Sequence, residues 1–404
     1  MKFKIIPGGG ITSAAGFAAG VAQAAIKKPG RYDVAIVSSE VPAVAAAVFT
    51  TNKYQAAPVL VSKKHLEHRR IQCFVVNSGC ANACTADGGV RDALLMAQAA
   101  ADLIGCKPNE VFVASTGVIG VPLPMDKVTK GIKDAGEKLA AANGAFAAQA
   151  IMTTDTFAKE LALQFELDGK IVTVGGMAKG SGMIHPDMAT MLGFVTTDAA
   201  ISPDCLQKAL SFANEDSFNM VTVDGDTSTN DCLLLMANGF AGNNPITDVN
   251  SMGFLLFQEA LTYICTELAI LVAKDGEGAT KLMEVRVCNA ASKRDAALGA
   301  KSIAGSNLVK AALFGEDANW GRIICALGYS GAEFNPDIVD VYLGDVKVAE
   351  AGCGLSFDEG LAAKVLSENK VTIMVDLKAG NAQATAWGCD LTYDYVKING
   401  AYRT

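Results

Sequence analysis

Histidine is scarce: His65, His68 and His185 are all that 404 residues contain. His65 and His68 lie in the charged run KKHLEHRR and read as surface residues. His185 is followed at once by Pro186, a neighbour that suits a structural turn better than the middle member of a Ser-His-acid triad. An acyl-transfer enzyme built on this chain would therefore need a general base other than imidazole. Positive charge is short as well. With a net charge of -8, a pI near 5.1 and no basic stripe interleaved with aromatics, nucleic acid is excluded as the expected partner. Metal-ligand spacing is missing too. The eleven cysteines form an odd, scattered set in which only Cys80 and Cys84 are close, and three histidines cannot complete a zinc site. The thiols read as free cysteines of a reducing cytoplasm, and no metal is expected.

Obvious linkers, internal repeats and low-complexity tracts are also lacking. Half of the residues are hydrophobic, 19% are charged and the mean hydropathy is +0.28, which describes a packed globular chain. The length suits two or three domains or one large layered core. Alanine and glycine supply much of the apolar count and point to closely packed layers. Two segments imitate membrane or export signals. Residues 1–28 have early lysines, but Pro7 and three glycines break the apolar stretch, so a signal peptide is not expected. Residues 252–273 are long enough to cross a bilayer yet carry Gln258, Glu259 and Glu267. They read as a core-facing amphipathic helix, with no membrane involved.

Strand-like runs occupy 33–39, 45–50, 72–79, 110–115, 161–177, 282–287, 338–344, 370–377 and 390–399. Helical patterns lie at 90–104, 125–141, 203–214, 252–273, 305–315 and 359–368. The Asp168-Gly169 pair inside 161–177 marks a hairpin. Alternating strands and helices with added hairpins predict an α/β protein with mixed sheets covered by helices.

Among short motifs, PGGGIT at 7–12 lacks the lysine of a phosphate loop and reads as an ordinary loop. VDGDTSTND at 223–231 starts like a calcium loop, but Thr229 stands where glycine is required and Leu235 where a bidentate glutamate is required. It reads as a turn whose Asp, Ser and Thr side chains satisfy backbone groups. The stretch from Met177 to Phe194, MAKGSGMIHPDMATMLGF, is different: glycines, a proline and four methionines fit no helix, and it is too apolar for a surface loop. An α-amine, with a reference pKa near 7.7–8, can serve as general base for its own residue's hydroxyl. Ala189-Thr190 is a plausible internal cut that would expose such a threonine, provided the segment is held in strained geometry. An irregular buried connection is the other reading of the same residues.

The wording KGSGMIHPDMATMLGF, with VNSGCANACT (76–85), ASTGVIG (114–120), MTTDT (152–156), DGEGATK (275–281) and KINGAYRT at the C-terminus, closely resembles the ornithine acetyltransferase family, the glutamate N-acetyltransferases of arginine biosynthesis. The likeness runs in order from about residue 6 to Thr404. It implies a layered α/β/β/α sandwich with mixed sheets and an N-terminal-nucleophile enzyme that cuts itself between Ala189 and Thr190. The products would be an α chain of residues 1–189 and a β chain of residues 190–404 sharing one layered core and assembling as an (αβ)2 heterotetramer. Thr190 matches the nucleophile, and Thr116 and Gly117 match the oxyanion-hole pair. Thr153, Lys179, Glu277, Asn399 and Thr404 match substrate-binding positions. The reaction implied is ping-pong transfer of acetyl from N-acetylornithine to glutamate without a cofactor, with Lys179 on the α-carboxylate and Glu277 on the ornithine ammonium. The use of acetyl-CoA as a co-substrate stays open. Two other readings also stay open: a self-cleaving aminopeptidase or amidase, and a binding protein that never cleaves. Cys80 departs from the family's usual asparagine and is expected at a packing or loop position.

Overall fold

A computed structural model describes residues 3–185 and 191–401. The chain divides into two compact units. The first comprises Met1–Gly180, Asp187–Ser217 and Thr227–Leu268; the second comprises Ser181–Pro186, Phe218–Asp226 and Ala269–Thr404.

Among the described residues, the first unit contains nine strands: β1 (Lys4–Ile5), β2 (Phe17–Ala22), β3 (Val34–Phe49), β4 (Arg70–Cys80), β5 (Val111–Val118), β6 (Lys159–Leu167), β7 (Lys170–Lys179), β8 (Leu192–Thr197) and β9 (Cys232–Ala237). They form one mixed sheet in the order β1-β6-β7-β8-β9-β3-β4-β5, with β2 also paired to β3. The pairs β4–β5 and β8–β9 are parallel, the rest antiparallel. Asp168 and Gly169 both take positive φ, 53° and 72°, the backbone a two-residue hairpin loop needs between β6 and β7. The two strands expected at 33–39 and 45–50 are one. β3 runs through Pro42 because the ladder to β4 shifts register between Ser38 and Ala43, so the missing proline N–H falls where no cross-strand bond is made.

That irregularity lets the sheet fold over itself. Phe74 on β4 and Phe194 on β8 are separated in the sheet by β3 and β9, yet their rings stack with centroids 4.3 Å apart and planes 8° from parallel. Neighbouring strands lie about 4.8 Å apart, so a flat sheet would hold these rings well beyond contact. The inner face between the two layers contains Val37, Phe74, Val76, Phe112, Met177, Phe194, Leu234 and Met236. The outer face of β3, β4 and β5 packs against α2 (Ala86–Ile104) and α3 (Met125–Gly136), which follow α1 (Ala57–Leu66). Ala93, Ala97, Ala100 and Ala101 line the buried stripe of α2; their small side chains let helix and sheet approach closely. The short α4 (Gly144–Ala150) and the longer α5 (Pro203–Glu215) and α6 (Met252–Lys274) complete the helices. On α6, buried residues recur at 254, 257, 260, 261, 264, 265 and 268, the period of a helix with one face in a core. Leu268 and Ile264 of α6 press so closely on Gly176 of β7 that a Cβ there would lie 3.0 Å and 3.2 Å from them. Helix, sheet, sheet and helix thus follow one another within this unit, giving the α/β/β/α order.

The second unit has its own mixed sheet of β10 (Leu282–Ala290), β11 (Asp340–Leu343), β12 (Val346–Glu350), β13 (Cys353–Gly354), β14 (Lys370–Asp376) and β15 (Ala382–Cys389), ordered β13-β12-β11-β14-β10-β15. α7 (Lys293–Gly305) packs on β10 and β15; α8 (Asn307–Phe314), α9 (Trp320–Gly328), α10 (Glu359–Leu366) and α11 (Tyr393–Gly400) follow. Residues 390–399, expected as a strand, contain α11 instead. Thr392 caps its first turn by accepting from Tyr395 N, while Tyr393 and Val396 are 77% and 67% exposed, so the alternating pattern had no sheet face to fill.

Candidate active site

β5 ends the sheet order, so one row of its backbone groups has no strand beside it. α1 fills that place. The Ser62 hydroxyl donates to Val113 O at 2.7 Å and accepts from Val113 N at 2.8 Å. His65 Nδ1 donates to Val111 O at 2.7 Å. His65 is only 6% exposed, which corrects its assignment to the surface. The charged neighbours concealed a helix face on which Val59, Ser62 and His65 recur at three-residue intervals against β5. His68 is exposed, as expected.

The strand anchored in this way carries Thr116 and Gly117 at its end. The parallel register with β4 reaches Gly79 opposite Gly117 and then breaks, Cys80 facing both Thr116 and Val118. Gly117 has φ 133°, and a Cβ on it would lie 2.3 Å from the carbonyl carbon of Gly79 and 2.6 Å from Cys80 N. No side chain fits there. Cys80 is buried, with its thiol 3.2 Å from Val121 O, the packing position expected of it.

The Thr116 hydroxyl oxygen accepts from Lys179 Nζ at 3.5 Å. Lys179, the last residue of β7, is buried, and so are Asp155 and Lys159. Asp155 Oδ1 accepts from Lys159 Nζ and from Gly180 N, both at 2.7 Å, and Oδ2 accepts from Thr153 N at 2.9 Å. Burial alone would push the Asp155 carboxyl up. The Lys179 and Lys159 ammoniums, the Lys159 hydrogen bond and the Thr153 amide outweigh it and bring the pKa down to about 2. One carboxylate therefore ties the Thr153 loop to the end of β7. Arg31 braces the same loop by donating to Met152 O and Thr153 O. A cavity of about 540 Å³ beside it is lined by Arg31, Tyr32, Gln149, Thr153 and Asp155, among others.

In the second unit, Glu277 is buried and its Oε2 accepts from Asn399 Nδ2 at 2.7 Å. Gly182 lies against the same carboxylate, where a Cβ would come within 2.3 Å of Oε2. Thr392 Oγ1 donates to Gly278 O at 2.7 Å, and Tyr395 OH donates to Asp224 Oδ2 at 3.2 Å, so α11 is held along its length. Burial, and next the Asp224 and Glu277 carboxylates, push the Tyr395 phenol up, which keeps it a donor. Asp224 also accepts from Met183 N at 2.6 Å and Ile184 N at 2.8 Å. His185 Nδ1 sits 3.1 Å from Thr222 Oγ1. Asp224 at 223–226 here, and Ser228 accepting from Asn230 N at 3.1 Å in the first unit, fit the expected turn.

Thr116, Gly117, Thr153 and Lys179 thus gather in the first unit, Glu277 and Asn399 in the second. Ala189, Thr190 and Thr404 lie outside the described residues. Sequence reasoning missed Asp155, Lys159 and Tyr395. Asp155 stood inside the quoted MTTDT block, and a buried lysine four residues after an aspartate was the available signal.

The sequence matches the ArgJ family over residues 18–404. An arginine biosynthesis bifunctional protein of Symbiobacterium thermophilum is 57% identical over 98% of this chain and 99% of its own. Another from Clostridium acetobutylicum is 53% identical over 99% of both chains. Among solved structures, the arginine biosynthesis bifunctional protein of Bacillus halodurans is 49% identical with a TM-score of 0.51, covering 53% of this chain and 100% of that one. Matched over almost its entire length, this chain belongs to the ArgJ family of arginine-biosynthesis enzymes.

Proposed function

We propose that this acetyltransferase moves acetyl from N2-acetyl-L-ornithine to L-glutamate through an ester on Thr190, after cutting itself between Ala189 and Thr190. One observation carries the proposal. Leu192, two residues after Thr190 in sequence, is the register partner of Lys179, whose ammonium touches the Thr116 hydroxyl, and Met191 O is held by Cys232 N at 3.2 Å. The chain directly following Thr190 is thus fixed beside the strand end that carries Thr116.

In the cut, Thr190 Oγ attacks the Ala189 carbonyl, the Ala189–Thr190 C–N bond breaks as the hydroxyl proton passes to the Thr190 nitrogen, and water then hydrolyses the ester to free the Ala189 carboxyl and return the Thr190 hydroxyl. In the first half-reaction the freed Thr190 amine takes the hydroxyl proton as Oγ attacks the acetyl carbonyl. The Thr116 hydroxyl and Gly117 N–H stabilise the oxyanion. Because Lys179 donates to Thr116 Oγ1, the hydroxyl hydrogen is left to point at that oxyanion. Collapse breaks the C–N bond and the proton goes to the departing ornithine amine. Glutamate's amine then attacks the ester, and Thr190 Oγ leaves and regains a proton. Lys179 binds the α-carboxylate common to both substrates, alongside Thr153, and Glu277 receives the ornithine ammonium together with Asn399 and Thr404.

The proposal extends to an α chain of 1–189 and a β chain of 190–404 in an (αβ)2 heterotetramer of the cytoplasm. β7 and β8, on either side of position 190, are paired in one sheet, which supports a shared core. The relative of which 53% of this chain covers the whole is consistent with a 215-residue piece of 404. The related proteins are named bifunctional. A second activity, with acetyl-CoA as the acetyl donor to glutamate, is included. With acetylornithine alone, the enzyme should release one equivalent of ornithine per site and turn over only when glutamate is added. Steady acetate release in its place would mean that water is the acceptor and the enzyme an amidase.

A further inference from the structure

β5 pairs with β4 on one side only, and along its other side successive carbonyls at two-residue intervals are each taken by a side chain. His65 holds Val111 O and Ser62 holds Val113 O. The third, Ser115 O, stands immediately ahead of Thr116 and accepts from Asn230 Nδ2 at 2.9 Å. Asn230 lies two residues before β9 and is only 6% exposed. The same Nδ2 also donates to Ala81 O, just past the end of β4, at 2.6 Å. Ala81 N in turn donates to Val118 O at 2.9 Å. Thr116 and Gly117 are thus bracketed, with Ser115 held in front of them and Val118 behind. Thr229 Oγ1 donates to Asn230 Oδ1 at 2.6 Å, which orients the amide with its nitrogen toward both carbonyls. From the same short segment, Cys232 N holds Met191 O, and Cys232 is the register partner of Leu192. Residues 229–232 therefore grip both the backbone around Thr116 and the chain that follows Thr190.

We propose that Asn230 is a positioning residue for acetyl transfer: its amide fixes the end of β5, and with it the Thr116 hydroxyl and the Gly117 N–H, relative to the chain that follows Thr190. The inference rests on the reading of Thr116 and Gly117 as the oxyanion-hole pair. Asn230 acts through the backbone and not on the reacting atoms. An uncharged double donor is what two carbonyls require; a carboxylate would face both with oxygen, and a hydroxyl could give only one hydrogen. Misplacement of the strand end by about 1 Å would turn the hole away from the developing oxyanion, an error that can cost roughly 100-fold in rate.

The test compares the burst of ornithine from acetylornithine and from its thioacetyl analogue in the self-cleaved, full-length enzyme. Burst amplitude counts competent sites, and burst rate reports acylation at those sites. A sulfur anion accepts hydrogen bonds weakly, so the rate advantage of oxygen over sulfur reads the oxyanion hole itself. Asn230→Ala should slow the acetylornithine burst by about tenfold or more, change the half-saturating concentration by less than about threefold, and shrink the oxygen-over-sulfur ratio. Asn230→Asp, of the same size, should recover none of this. A merely structural role slows both substrates alike, so a wild-type ratio in Asn230→Ala overturns the proposal. Recovery by Asn230→Asp also overturns it, because shape alone would then suffice. Should Asn230→Ala stay uncut or fail to fold, Thr229→Val decides, since it keeps the amide and removes the bond that orients it: a reduced ratio supports the proposal, and a wild-type ratio overturns it. Thr116→Ala is the control for the underlying reading; if it keeps the wild-type ratio, that reading fails first.

Discussion

Replacing Gly117 by alanine gives the sharpest prediction from the described geometry. At φ 133° an L-residue is strained, at a cost of about 1–3 kcal/mol. The added Cβ would also stand 2.3 Å from the Gly79 carbonyl carbon and 2.6 Å from Cys80 N, both backbone atoms that cannot swing aside. The end of β5 must therefore move off β4, and the Gly117 N–H moves with it. Loss of one oxyanion donor costs on the order of 10²–10³ in rate. Gly117→Ala should accordingly slow self-cleavage and acetyl transfer by about 100-fold or more while lowering Tm by a few degrees. The assay is conversion of the precursor band on a denaturing gel, followed by ornithine release from acetylornithine. Gly105→Ala is the control, since Gly105 has φ 80° at the end of α2 with no atom within 4 Å of an added Cβ. It should lower Tm through strain alone, by less than Gly117→Ala, and leave both rates alone. A Gly117→Ala enzyme that cleaves and turns over at the wild-type rate would refute the assignment of the oxyanion hole to this bulge.

Other expectations follow from single contacts. Lys179→Met should raise KM for both acetylornithine and glutamate by tenfold or more, because one carboxylate site serves both half-reactions, and a rise for only one substrate would refute that role. Deleting Asn399 to Thr404 should impair turnover by removing the Asn399 bond to Glu277; full activity in the truncated enzyme would exclude the tail from the site. His65→Phe should cost about 1–3 kcal/mol in denaturant unfolding by orphaning the Val111 carbonyl, with little change in KM. An unaltered unfolding midpoint would contradict that bond.

Much of this was legible because local chemistry and tertiary structure agreed. Asp168-Gly169 fixed a turn that β6 and β7 then had to obey, and the charges on 252–273 correctly spoke for a core helix with one wet face. Misreadings arose where a distant partner decided the outcome. His65 looked solvated by its neighbours but is claimed by the edge of β5, and 33–39 and 45–50 looked like two strands but are one, continued through an irregularity of the ladder to β4. At the tail, Thr392 capping and the contacts of Tyr395 with Asp224 and Asn399 with Glu277 outweighed an alternating pattern. The site shows the same division. Thr116, Gly117, Lys179 and Glu277 were named as candidates from motifs, whereas Asp155 and Lys159 became visible only as a buried ion pair.

The central claim is tested most directly by N-terminal sequencing of the purified, active enzyme on a denaturing gel, alongside Thr190→Ala. The account predicts two bands, the larger beginning at Thr190, and for Thr190→Ala one uncut band of 41.9 kDa that transfers no acetyl. An active wild-type enzyme that remains a single chain, or acetyl transfer by Thr190→Ala, would contradict it.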